Sequence, residues 1–220
     1  MASEDPSSDD VGIADWLGAS SSDPQAVAQR YDSWATAYDE DLQAWDYRAP
    51  STVVATLMSL RPDADPVLDV GCGTGMVART LRAHGFAGRI RGLDISPASL
   101  ALARTTGEYE SLVAADLQQR LPVDDDSVDA ALCVGVMTYL PEVEAIWREL
   151  ARVVRPDGIV VVTQRDDLWR DRECRAVVDR LAAEGLWTPV EIAGPAAYLP
   201  DGYGGGDAVS CYYLSARVLS

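Results

Sequence analysis

Residues 69–75 read Asp-Val-Gly-Cys-Gly-Thr-Gly, a carboxylate followed by three glycines at alternate positions. An apolar run precedes them and a helix-like stretch follows. Glycines in such a place let backbone amides and a helix N-terminus approach a ligand closely; a tight turn with no ligand is the plain alternative. A dinucleotide fingerprint, Gly-x-Gly-x-x-Gly, would put its third glycine where Met76 stands. A phosphate-cradling Gly-Lys-Ser/Thr is absent, and the chain has no lysine at all. Two more acids close later apolar runs: Asp94 in "GLDIS", about where a ribose-binding acid belongs, and Asp116 in "AADLQ". Carboxylates accept hydrogen bonds from hydroxyl and amino donors, so three of them on one rim suit a nucleoside bearing positive charge, not a polyphosphate.

The elements that must position these acids follow from an alternating pattern. Apolar runs at "VLDVG" (67–71), "IRGLDI" (90–95), "SLVAA" (111–115), "VDAALCVG" (128–135) and "GIVVVTQ" (158–164) are separated by helical segments. Short apolar strands between helices imply a parallel sheet covered on both faces. A further helix is predicted over 168–185, then strands at "TPVEI" and "VSCYYLSARVLS" around the loop "PDGYGGGDA". Upstream, residues 1–24 read as an acidic, disordered tail with one apolar patch, "GIADWLG". From Gln25, Tyr31, Trp34, Ala35 and Tyr38 recur at helical spacing, and Leu42 and Trp45 could extend that helix. Pro50 marks a boundary, and "STVVATLMSL" is a second helix with Ser51 near its cap. One α/β domain over 25–220 results, with a helical cap (25–60) on a core (61–220).

Composition narrows the partners. The net charge is −17, and every cation except the lone His84 is arginine. Such a surface repels phosphate, which argues against nucleic acid and anionic membranes. In "RDDLWRDRECR" (165–175) the arginines alternate with acids, as on a solvated helix face. The lysine-free, acidic composition fits a salt-loving host or a GC-rich genome equally. No run approaches the apolar length of a membrane helix, and the acidic N-terminus is unlike a secretion signal, so a cytoplasmic protein is expected. Cys72, Cys133, Cys174 and Cys211 are far apart, with no metal or disulfide spacing.

"LDVGCGTG", "GLDIS", "AADLQQRLPVDDDSVDAALCVGVMTYLPE" and "VVRPDGIVVVTQR" resemble, in order and spacing, the successive motifs of class I S-adenosylmethionine-dependent methyltransferases. "YDSWATAYDEDLQAWDYRAP", "GTGMVARTLRAHGF" and "DRLAAEGLW" are similar to the Williams–Beuren region methyltransferase group. The resemblance implies a doubly wound, mostly parallel seven-stranded sheet of Rossmann-like type, its last strand antiparallel. It implies S-adenosyl-L-methionine as cofactor: Asp69, with Gly71, Cys72 and Gly73, at the methionine end; Asp94 on the ribose hydroxyls; Ile95, Asp116 and Leu117 around the adenine. Cys133, Val134 and Gly135 would end strand four against the methionine moiety. Tyr31, Trp34 and Tyr38 would close over a sulfonium, or simply pack the cap.

For the acceptor, the resemblance points to Thr138, Tyr139, Gln164 and Arg165, with Tyr139 and Arg165 as the catalytic candidates; Arg165 would hold an acidic acceptor or pair with Asp166. Methyl transfer from a sulfonium is an in-line displacement that rests mainly on alignment. His84 is expected at a helix end away from the acceptor. No metal is expected: Asp166 and Asp167 read as first-turn helix acids, and "DDDS" (124–127) as a solvated turn. The expected activity is methyl transfer to oxygen, nitrogen or sulfur of a small molecule by a monomer or homodimer. The alternative is a non-catalytic or regulatory protein that binds the same cofactor or its demethylated product.

Overall fold

The computed structural model describes residues 21–44, 46–197 and 209–219. Strands β1 (Val67–Val70), β2 (Ile90–Asp94), β3 (Ser111–Ala114), β4 (Val128–Cys133), β5 (Val154–Arg165), β6 (Trp187–Ala197) and β7 (Ser210–Val218) form one sheet in the order β3-β2-β1-β4-β5-β7-β6. The first five run parallel and β7 runs antiparallel to both of its neighbours. The order reverses between β1 and β4, and in such sheets the crevice beyond the strand ends at the reversal is where ligands enter.

The central strands carry apolar side chains on both faces because both faces are covered. All of β1 is buried, and one core of Val160, Val162, Leu214 and Ala216 packs under helices α6 (Val143–Val153), α7 (Asp166–Asp171) and α8 (Cys174–Ala183). Fully buried Trp147 sits there, its ring centroid 5.7 Å from that of Trp187 and 6.3 Å from that of Trp169. Such pairs add roughly 0.5–1.5 kcal/mol beyond area burial. The opposite core joins Ile159 and Val161 to helices α3 (Ala49–Leu60) and α4 (Met76–Ala83) through Val53, Leu57, Val77 and Leu81. Helix α5 (Pro97–Thr105) links β2 to β3.

Several sequence expectations shift. The aromatic helix is two helices, α1 (Pro24–Trp34) and α2 (Tyr38–Ala44), separated by a turn; Leu42 belongs to α2, and Trp45 lies outside the described residues. Helix α1 starts at Pro24 because Asp23 caps it, accepting from the Gln25 amide, and proline is tolerated in a first turn. For the same reason Pro50 lies inside the first turn of α3, and Ser51 is not its cap. The helix expected over 168–185 is α7 and α8, divided where Glu173 adopts a left-handed backbone (φ 47°). Strand β5 begins four residues early: Val154 pairs with Val128, and the register then slips, so residues 155–158 form an irregularity within the strand. The expected tail patch at 12–18 and the Gly-rich loop at 200–208 lie outside the described residues.

Two aspartates tie α1 and α2 to the core. Asp32 accepts from Ser96 Oγ at 2.5 Å and from the Ala98 amide at 3.1 Å, capping α5 from a different element. Asp39 accepts from Thr74 Oγ1 and from Arg79 Nη2, which stand in the glycine loop and on α4.

Candidate active site

A cleft of about 600 Å³, open mouth included, lies between the cap and the strand ends at the sheet's reversal. Its floor is the glycine loop. Gly71 adopts φ +74°, and a Cβ there would come 2.1 Å from a methyl of Val136, so only glycine lets the β4 loop pass so close. Gly73 (φ +51°) has nothing within 4 Å of where a Cβ would stand, so the space above it opens toward the cleft.

Asp94, the last residue of β2, is fixed by backbone donors. Its Oδ2 accepts from the Gly73 amide and its Oδ1 from the Ser96 amide, both at 2.8 Å. Burial raises its carboxyl above the ordinary range, and the amides of Ser96, Gly73 and Ile95 oppose that rise. Asp116 lines the cleft beyond β3 and accepts from the Gln118 amide at 2.9 Å. At the other end Tyr31, from the cap, donates its hydroxyl to Tyr139 at 3.1 Å, with the rings edge to face at 5.7 Å. Tyr139 belongs to a 3-10 turn (Met137–Tyr139) after β4; burial raises its phenol, while Tyr31, Arg30 and Arg165 pull the other way. Tyr38 also lines the cleft, its phenol raised by burial and by Tyr139 and Asp94.

Of the residues singled out from sequence, Tyr31, Tyr38, Gly71, Gly73, Asp94, Ile95, Asp116, Leu117, Val134, Gly135 and Tyr139 therefore meet on one cleft. The remaining ones do not line it. Trp34 packs on Tyr38 at 4.5 Å and donates its indole N–H to Asp41. Cys72 and Cys133 are buried, with thiols pushed up by desolvation. Asp69 is fully buried under the loop; its Oδ2 accepts from Tyr109 at 2.7 Å, and its Oδ1 has no partner. Burial pushes its carboxyl up to about 7 against the Tyr109 bond, with Asp94 adding repulsion. Arg165 turns to Asp167, not Asp166, because the fork reaches both of its oxygens (2.6 and 3.1 Å) two residues along. Gln164 is buried, with both amide atoms unpartnered, and Thr138 offers its carbonyl to Arg172. His84 caps α4 and lines a groove elsewhere.

Sequence reasoning missed Pro24, Val27, Gln118, Val136 and Leu140 on the cleft wall. Val27 had a signal, since it precedes Tyr31 by four residues on the same helical stripe. Tyr109 had none, because only the folded loop brings it to Asp69.

A methyltransferase-domain family profile matches residues 68–162, the span from the glycine loop to the end of β5's apolar run. The human protein methyltransferase-like protein 27 is 36% identical over 171 residues, covering 71% of this chain and 66% of that protein. The chain belongs to the class I S-adenosylmethionine-dependent methyltransferases. The ubiquinone biosynthesis O-methyltransferase of Neisseria meningitidis is 36% identical over 102 residues, or 43% of this chain and 41% of that protein. The chain thus spans less than two thirds of either relative's length. Among solved structures, a DhpI complex with S-adenosylhomocysteine superposes with a TM-score of 0.64 at 23% identity, over 89% of this chain and 97% of that one. The likeness at that identity is one of fold.

The cofactor of this methyltransferase-family chain is S-adenosylmethionine, and the residues present fit it. Asp94 and Asp116 offer carboxylate oxygens at strand ends, where hydroxyl and amino donors could be met. The space over Gly73 is clear. The unpartnered Oδ1 of Asp69 leaves a buried acceptor under the loop, and three phenol rings face the cleft where a positive sulfur would be welcome.

Proposed function

We propose that the chain moves a methyl group from S-adenosylmethionine to oxygen, nitrogen or sulfur of a small molecule. The observation that carries this reading is the mixed lining of one cleft, carboxylates and glycines around Asp94 and Gly73 together with the paired phenols of Tyr31 and Tyr139 and the apolar Val27 and Leu140. This apolar and aromatic lining suits a compact molecule with an aromatic or aliphatic body. The net charge of −17 disfavours polyanions. The name of the Neisseria relative, an O-methyltransferase of ubiquinone biosynthesis, supports an acceptor of this kind.

In this reading Asp94 takes the ribose hydroxyls and Ile95, Asp116 and Leu117 hold the adenine. Gly71, Gly73, Val134 and Gly135 make room for the methionine end, with Cys72 and Cys133 packing from behind. The bound cofactor supplies a methyl group on a positively charged sulfur, a donor reactive enough that alignment governs the rate. Tyr31 and Tyr38 exclude water from above, and Trp34 braces Tyr38. Tyr139, kept protonated by burial, donates a hydrogen bond to the acceptor and does not take its proton. Arg165, paired with Asp167, adds positive potential near Tyr139. The four cysteines are free and buried, which suits a reducing cytoplasm, and we expect a monomer or homodimer.

Calorimetric titration with S-adenosylhomocysteine, with NADH as control, tests the cofactor site. Micromolar binding of the first alone is expected, and binding of neither would refute the reading. A tritium-transfer screen over phenols, carboxylic acids, amines and thiols then tests catalysis. Cofactor binding with no transfer to any class would favour a regulatory binder.

A further inference from the structure

The run "RDDLWRDRECR" has an outlier. Arg165, Arg170 and Arg175 pair with Asp167, Asp166 and Asp179. Arg172, half-buried where α7 gives way to α8, instead turns inward and meets backbone. Its Nη1 donates to the carbonyls of Met137 (2.7 Å) and Leu140 (2.9 Å), and its Nη2 to that of Thr138 (3.0 Å).

Those carbonyls belong to the 3-10 turn after β4 and to the residue that ends it. A single such turn closes few hydrogen bonds of its own: Tyr139 N reaches Val136 O at 3.0 Å, and Leu140 N reaches Met137 O at 3.2 Å. Without Arg172 the carbonyls of Thr138 and Leu140 would lose this donor, and that of Met137 would keep only the Leu140 amide. A planar guanidinium spreads its donors over two terminal nitrogens in a fixed fork that spans the turn, whereas a lysine's three donors radiate from a single nitrogen. The turn is also a wall of the cleft, through Val136, Tyr139 and Leu140, and Val136 is the residue that presses on Gly71.

We infer that Arg172 is a positioning residue for methyl transfer: it sets the wall between the methionine end of the cofactor and the acceptor without touching either. This rests on the methyltransferase reading.

The test compares Arg172→Met and Arg172→Lys with the parent, using two ligands. Adenosine needs only the end built by Asp94, Ile95 and Asp116, whereas S-adenosylhomocysteine also needs the wall. Arg172→Met should weaken S-adenosylhomocysteine about tenfold or more and adenosine by less than twofold, with Arg172→Lys between. Amide hydrogen exchange, read without ligand, should speed up in residues 137–140 and not in α6. Equal weakening of both ligands would make Arg172 a general stabiliser, and unchanged S-adenosylhomocysteine binding with unchanged exchange would overturn the inference. If the parent binds neither ligand, the cofactor reading falls, and the exchange rates alone decide whether Arg172 holds the turn.

Discussion

At the end of the cleft bounded by Asp94 and Gly73, the lining groups are carboxylates and glycines held at the ends of parallel strands. At the end bounded by Tyr31 and Tyr139, they are side chains from a cap helix and a three-residue turn, held by contacts that cross the chain. Asp94 is braced by amides 21 residues before it and 2 after it. Tyr31 and Tyr139, by contrast, lie 108 residues apart. One end is a property of the sheet, and the other depends on several separate attachments, each of which can be loosened alone.

That contrast can be broken at its strong end first. Asp94→Ala removes an acceptor of the ribose hydroxyls and strands the Gly73 and Ser96 amides. Charge-assisted hydrogen bonds are worth roughly 1.5–3 kcal/mol, so S-adenosylhomocysteine should bind about 10- to 100-fold more weakly by calorimetry. An unchanged dissociation constant would remove Asp94 from the site. Asp32→Ala should have a smaller effect. It uncouples α1 from α5, and stopped-flow release of S-adenosylhomocysteine should quicken about fivefold, the scale of a lost helix cap. Release at the parent rate would mean that Asp39 holds the cap by itself.

The Asp69 carboxyl gives a pH signature. Its folded pKa is raised to about 7 from an ordinary 3.8, so the fold binds this proton more tightly than the unfolded chain does. Its stabilising contribution is complete below about pH 4 and fades as pH rises through 7. Thermal melts of the parent should therefore drop between about pH 4 and 7, and Asp69→Asn should flatten that slope. Equal slopes would show that Asp69 is already ionised at pH 5. The smallest expected change is at the acceptor end: Tyr139→Phe should leave S-adenosylhomocysteine affinity within about twofold while slowing methyl transfer to an oxygen acceptor. A tenfold loss of cofactor affinity would instead place the Tyr139 hydroxyl at the cofactor.

The same contrast explains what could be read from the residues alone. Asp94, Asp116 and the glycines are legible because strand periodicity puts them at strand ends, and a parallel sheet gathers strand ends on one edge. Tyr31 and Tyr38 were visible as a helical stripe, although not the turn between them, since Trp34 ends α1 without a glycine or proline to mark it. Asp32, Asp39 and Arg172 were opaque. Each looks like an ordinary surface charge, and its role depends on an element more than 30 residues away. Asp69 was read as the acid at the end of strand one, two residues before the glycine loop, where β1 holds it, but its burial beneath Tyr109 follows from tertiary packing.

The four thiols carry a practical consequence. Cys72, Cys133, Cys174 and Cys211 are all buried, and burial raises each thiol above its ordinary range. The native chain should therefore be almost silent to maleimides, which attack thiolates. A single cysteine placed at exposed Gln29 on α1 would then be the one reactive handle, and a fluorophore there would report directly on the cap as ligands come and go.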